Sequence, residues 1–235
     1  MTVSSEEPRA VTVVGSGSDP PLGESRLWPA AALVVFFALN VAVRVWLWDD
    51  APLRVPWLLP ATEILLLVLL LGADPRGRTR HSRWLRRLAL TVVVILVLAA
   101  LWSTATLVYD IVKGIGVTTS PTELLATGGL VWLGNNLAFA LLYWMIDSGG
   151  PMARLREPTP VDFAFTQHMS PELARPGWRP TFLDYLHLGF TNATAFSPTD
   201  VMPLSLRAKY LMLVQSSVAL ALFALIVARA VNAFA

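Results

Sequence analysis

The 235-residue chain contains no cysteine, which excludes disulfides, thiolate metal sites and cysteine nucleophiles. It is also poor in charge: 14% of its residues are Asp, Glu, Lys or Arg, against about a quarter in an average soluble domain. Histidine is scarce, and His81, His168 and His187 fall in no H-x-x-x-H or H-E-x-x-H pattern. No metal site and no cofactor is therefore expected. Nor do a nucleophile, a base and an orienting group stand together at a recognisable spacing, so an enzyme is not expected.

What the chain does have is apolar length. Hydrophobic residues make up 55% of it, and several runs approach the roughly 20 residues needed to cross a hydrocarbon core of about 30 Å. The fold class expected is an all-α integral membrane protein with five transmembrane helices and one short re-entrant helix before the last span. Residues 1–26 are rich in Ser, Gly, Pro and acidic residues and read as a disordered polar tail without the pattern of a secretory signal. Residues 27–235 form a single transmembrane domain, with spans at about 27–48, 57–73, 88–112, 123–146 and 206–232 and a re-entrant segment at about 180–204.

Local signals punctuate these runs. Trp28, Trp46 and Trp48 mark the ends of the first span as an aromatic belt would. Ser120-Pro121-Thr122-Glu123 reads as a capping box opening the fourth span, and Thr181-x-x-Asp184 as another opening the short helix near Phe182. Ser205 is placed to cap the last helix. Between them, residues 147–179 read as a polar loop with five prolines, Ser170-Pro171-Glu172 starting one short turn. Gly128, Gly129 and Gly134 are expected to let helices approach closely.

Topology follows from the arginines. The tail, the 74–87 loop, the 147–207 loop and Lys209 hold fourteen of the eighteen Lys and Arg residues. The positive-inside rule then puts the N-terminus, the Arg loop and the re-entrant stretch in the cytoplasm, in a multi-pass protein of the inner (plasma) membrane. This basic charge reports topology, not nucleic-acid binding. Arg80, Arg83 and Arg87 share one helical face, which serves either as a topology marker or as a site for anionic headgroups of the lipid bilayer.

The stretch Pro180–Arg207 combines a short helix with a hairpin carrying Thr191, Asn192, Thr194, Ser197, Thr199 and Asp200. These residues either line a path for an ion or small polar ligand or satisfy the backbone of a buried hairpin. Asp200 and Asp184 are each open to a vestibule role and a capping role. Asn192-Ala193-Thr194 also matches the glycosylation sequon. Within the spans, Glu63 and Asp110 are ionisable groups at membrane depth, where a functional role is the default hypothesis. Glu63 can instead pair with Arg44, and Asp110 can mark an interface. Asn135, Asn136, Gln215 and Ser216 suit interhelical hydrogen bonds, and Arg229 with Asn232 suits an anchor at the end of the last helix.

From Asp184 onward the chain resembles the pore region of potassium channels. Thr194-Ala195-Phe196-Ser197-Pro198-Thr199-Asp200, then Val201-Met202-Pro203, occupies the place of the Thr-Thr-Val-Gly-Tyr-Gly-Asp filter and its following proline. The element Tyr143-Trp144-x-x-Asp147-x-Gly149-Gly150-Pro151 and the ending of the last helix are similar to those of a group of uncharacterised bacterial membrane proteins with this channel-like tail. The resemblance implies a homo-oligomer, a tetramer if channel-like, passing a monovalent ion or small polar solute. The alternative is a non-conducting structural or sensory protein keeping the pore-like fold as a scaffold. The filter itself departs from the family. Ser197 and Thr199 replace its two glycines around Pro198, whose φ is fixed near −65°, so the usual ring of backbone carbonyls is unavailable. Ser197-Pro198-Thr199-Asp200 reads instead as a capping box starting one helical turn that ends before Pro203. The arginines also put this hairpin on the side opposite to a potassium filter.

Overall fold

A computed structural model describes residues 27–47, 83–114, 121–154, 160–194 and 200–234, together with single helical positions at Ala61, Ile64, Leu65 and Val68. The tail, most of the second expected span with Glu63, the Ser120 cap, Arg80, and the hairpin positions Ser197 and Thr199 lie outside the described residues, as does the side chain of Asn232. Seven helices and a two-stranded sheet make up the rest. They are α1 (Leu27–Leu47), α2 (Arg83–Lys113), α3 (Pro121–Ile146), α4 (Pro151–Arg154), α5 (Thr166–Met169), α6 (Phe182–Thr194) and α7 (Leu206–Phe234), with β1 (Phe163–Phe165) and β2 (Val201–Pro203).

Among the described residues, three segments are long and apolar enough to cross a membrane: Arg86–Lys113, Thr122–Gly149 and Leu206–Arg229. The helix containing the first begins five residues earlier than the apolar run alone suggests, because arginine is a good helix former and no Pro or Gly lies between Arg83 and Leu88. It ends at Gly114, whose φ of +67° suits glycine at a helix C-terminus. Pro121 and Glu123 sit in the first turn of α3, where a missing N–H is harmless and negative charge is favoured. The Ser205 hydroxyl accepts from the Ala208 N–H at 3.2 Å, as a cap for α7 should.

α3 is the central element. Every residue from Leu137 to Ile146 is buried, against α1 through Leu33 and Phe36, α2 through Val93 and Leu96, α6 through Tyr185 and Leu188, and α7 through Ala208 and Met212. Leu98 and Trp102 on α2, and Leu213, Phe223 and Val231 on α7, face outward, as expected of helices solvated by acyl chains. Asn135 bonds Thr104, while Leu90, Ile146 and Leu211 lie around one cleft. α2 and α3 are therefore antiparallel, α7 runs parallel to α2, and the Arg-bearing start of α2 shares an end with the 147–205 connection.

That connection is more ordered than a proline-rich polar loop. Asp147–Gly149 is a 3-10 turn followed by α4, with positive φ at Ser148, Gly149 and Gly150. Ser170–Ala174 forms overlapping turns without becoming a helix. β1 and β2 pair antiparallel with Phe163 opposite Pro203 and Phe165 opposite Val201. The start of the helical turn expected from Ser197 lies outside the described residues, but it does not extend to Pro203: Val201 and Met202 are extended, paired with Phe165 and Ala164. α6 runs antiparallel to α3, with Phe182 against Trp144 and Phe190 against Trp132.

The glycines of α3 divide. A Cβ on Gly128 would collide with Ile226 of α7, and one on Gly134 with the Phe36 ring, so both permit close approach. Gly129 faces open space, so the expectation that it packs is corrected. Overpacking costs about 1–3 kcal/mol. Gly128→Leu should therefore lower the unfolding free energy in detergent by that amount, while Gly129→Leu should leave it unchanged or raise it; circular dichroism melts of the two variants read the difference.

Candidate functional site

Two assemblies of polar groups lie inside the bundle, and a further polar feature faces outward. The first assembly is built on Asp147, where α3 ends. This carboxylate has no exposed surface, so its donors have to come from the protein. Oδ1 accepts from the Asp162 N–H at 2.7 Å and the Phe163 N–H at 3.3 Å, and Oδ2 accepts from the Tyr185 hydroxyl at 2.5 Å. The Arg154 guanidinium donates to the Trp144 and Asp147 carbonyls, at 2.9 Å each, and lies over the Tyr185 ring. Next to it Arg207 makes a bidentate pair with Asp162, at 2.7 and 2.5 Å. Burial pushes the Asp162 carboxyl up, but the bonds from Arg207 and Ser205 outweigh it and hold the group below its ordinary value. His168, set edge-to-face against Phe165 and Trp178, accepts from the Phe165 N–H at 3.3 Å through Nδ1. Its pKa is lowered by burial, with the Asp147 charge opposing.

The second assembly is a seam joining α3, α6 and α7 at mid-span. Gln215 Oε1 accepts from the Tyr143 hydroxyl at 2.7 Å and from Asn192 Nδ2 at 2.8 Å, and its Nε2 donates to the Gly189 carbonyl at 2.9 Å and to Asn136 Oδ1 at 3.4 Å. Asn192 also donates to the Met212 carbonyl, and its Oδ1 accepts from Ser216. Both polar atoms of Gln215 are occupied twice over. Gly189 is needed here because a Cβ would sit 3.3 Å from the Asn136 carbonyl oxygen. The expected interhelical use of Asn136, Gln215 and Ser216 is realised here, and Asn192 joins them as a buried strut.

The outward feature lies on the other face of α6. His187 Nε2 and Asp200 Oδ2 stand 3.1 Å apart with side chains 60% and 39% exposed. The exposed Thr194 hydroxyl donates to the Phe190 carbonyl and the half-buried Thr191 hydroxyl to His187 and Leu188, back into their own helix. Asp184 acts as a cap, accepting from the Thr181 N–H at 2.7 Å and its hydroxyl at 2.8 Å. Elsewhere, Asn135 donates to Thr104 at 2.5 Å near mid-span, and toward the opposite end of the bundle Asp110 is buried and Arg229 reaches toward Gly114. Among the described residues, no three His, Asp or Glu side chains gather as a metal site.

The candidates read from the sequence are thus split. Asn136, Asn192 and Gln215 come together, Asp200 meets His187, and Asn135, Asp110 and Arg229 stand apart from both groups. Tyr185, Asp162, Arg207 and Arg154 were not among the candidates. Their signal was the density of Tyr143-Trp144-x-x-Asp147-x-Gly149-Gly150, an acid at a span end beside two glycines. The chain matches no family model, no curated protein and no solved structure.

Two outcomes test the first assembly. Hydrogen bonds to a buried charge contribute about 1.5–3 kcal/mol each. Tyr185→Phe should cost about that much, and Asp147→Asn, which turns an amide toward two N–H donors, should cost more than about 3 kcal/mol in denaturant melts. The depressed pKa of Asp162 means the unfolded chain binds its proton first. Its contribution to stability is complete above the ordinary aspartate range and is lost as pH falls below it. Asp162→Asn should lower stability at neutral pH and flatten this acid limb.

Proposed function

We propose that the protein is a homo-oligomeric, channel-like membrane protein in which α6, the hairpin after it and α7 from several copies enclose a path for a monovalent cation or small polar solute. The observation that carries this reading is the exposed His187–Asp200 pair. Gly189, two residues on, packs against Asn136 and Ala140, in the middle of the Thr122–Gly149 span. A charged group facing acyl chains at such depth costs about 2.5–3.5 kcal/mol or more. A water-filled space between copies relieves that cost, and lipid does not.

On this reading α6 is re-entrant. Its 13 residues reach about 20 Å at 1.5 Å per residue, too short to cross a hydrocarbon core of about 30 Å. The chain order of a long helix α3, a short helix α6, a brief connection and a long helix α7 is that of the potassium-channel pore region, which supports the resemblance. The five-span count includes α1 and the 57–73 segment, with the arginine-rich end in the cytoplasm of the inner membrane. The second reading, a non-conducting scaffold, draws on a different observation: Thr191, Asn192 and Thr194 already have partners within the bundle.

Flux of K⁺, Na⁺, H⁺ and Cl⁻ through liposomes containing the purified protein separates the two. Focused charge raises local ion concentration by about tenfold or more. Cation flux should fall at least about tenfold in Asp200→Asn, while Thr194→Val should alter it less. Absence of flux for every ion, or a strictly monomeric protein in detergent and bilayer, leaves the scaffold reading in its place.

A further inference from the structure

A groove runs between α2, α3 and α7 on the flank of the bundle, away from His187 and Asp200. It encloses about 350 Å³ and every side chain lining it is apolar, among them Leu90, Val94 and Leu101 on α2, Ile146 on α3, and Leu211 and Val214 on α7. At 1.5 Å per residue the run from Leu90 to Leu101 is about 16 Å long, and one leaflet of a hydrocarbon core of about 30 Å is about 15 Å deep. The groove is thus as deep as one acyl chain is long. Water has nothing to bond to there.

Its mouth is basic. Arg86 lies four residues before Leu90, Arg87 seven before Val94, and Arg207 four before Leu211, so all three continue the helical stripes that line the groove. Arg207 is committed to Asp162. Arg86 and Arg87 are exposed, and neither has a hydrogen-bond or ion-pair partner among the described residues. Arg86 also leans across the mouth toward the end of α3: a Cβ on Gly149 would lie 3.6 Å from its guanidinium, and one on Gly150 3.8 Å from it.

We propose that this groove is a binding site for an anionic phospholipid, with one acyl chain between α2, α3 and α7 and the phosphate held by Arg86 and Arg87. The occupant is a lipid of the leaflet at the arginine-rich end. The site is independent of conduction, and the bilayer that surrounds these three helices supplies its ligand at high local concentration.

Native mass spectrometry of the full chain, released from detergent carrying equal dioleoyl phosphatidylglycerol and dioleoyl phosphatidylcholine, tests it. Two surface arginines favour an anionic lipid by about thirty-fold together, or about five-fold each. Wild type should retain phosphatidylglycerol over phosphatidylcholine by that factor. The R86Q/R87Q double variant should retain both lipids about equally, and Leu98→Trp, which fills the groove, should retain neither. If the double variant does not fold by circular dichroism, Arg87→Gln alone should lose about five-fold of the preference. Equal retention of the two lipids by wild type overturns the proposal, as does an undiminished preference in the arginine variants or undiminished lipid in Leu98→Trp. A dimer that Leu98→Trp abolishes assigns the groove to a second copy, and also overturns it.

Discussion

A carboxylate with no exposed surface has to find all its hydrogen-bond donors inside the protein, and Asp147 finds them on two distant segments of the chain. The Asp162 and Phe163 amides fix the start of β1, and the Tyr185 hydroxyl fixes the first turns of α6. Leaving such a charge unpaired costs several kcal/mol, so these segments are held together by a penalty as much as by an attraction. β1 in turn pairs with β2, which delivers the chain to the start of α7. Arg207 then closes the circuit from α7 to Asp162. The positive φ of Ser148, Gly149 and Gly150 is the backbone cost of turning the chain at that carboxylate, accepted chiefly by residues without a Cβ.

The seam around Gln215 does at mid-span what Asp147 does at the end. Two attachments, one at Tyr185 and one spanning Gly189 and Asn192, leave α6 no freedom to roll or slide against α3 and α7. Within a bilayer such bonds are individually modest, about 0.6–2 kcal/mol. Their value lies in direction, since an amide satisfied on both atoms has one geometry.

Much of this was legible in the sequence where the signal is local. The apolar runs and the Pro121, Thr181 and Ser205 signals located α3, α6 and α7 to within a few residues, because span length and capping chemistry are short-range properties. The β1–β2 pair was not legible: three residues are too few to show alternation, and the partners lie 36 to 40 positions apart. Asp147 was visible only as the end of a span, since its donors lie 15, 16 and 38 residues away. Gly128 and Gly129 were indistinguishable for a related reason. Adjacent positions point about 100° apart on a helix, and only the packed neighbour decides which one is crowded.

The two kinds of polar group in this chain call for different explanations. The inward-facing groups around Asp147 and Gln215 are bonded to several elements at once and account for the position of α6. His187 and Asp200 are bonded to each other and otherwise face out of the bundle, so what surrounds them decides what they do. On the proposed reading that is an aqueous path between copies. Ser197-Pro198-Thr199 cannot build the glycine-dependent carbonyl ladder of a potassium filter, so discrimination would rest on side chains carried by α6 and the residue before β2. A ring of carboxylates selects for charge sign and tolerates differences in ion radius, because flexible side chains do not fix a cavity size as backbone carbonyls do. Conduction on this scaffold would therefore separate cations from anions well and one monovalent cation from another poorly.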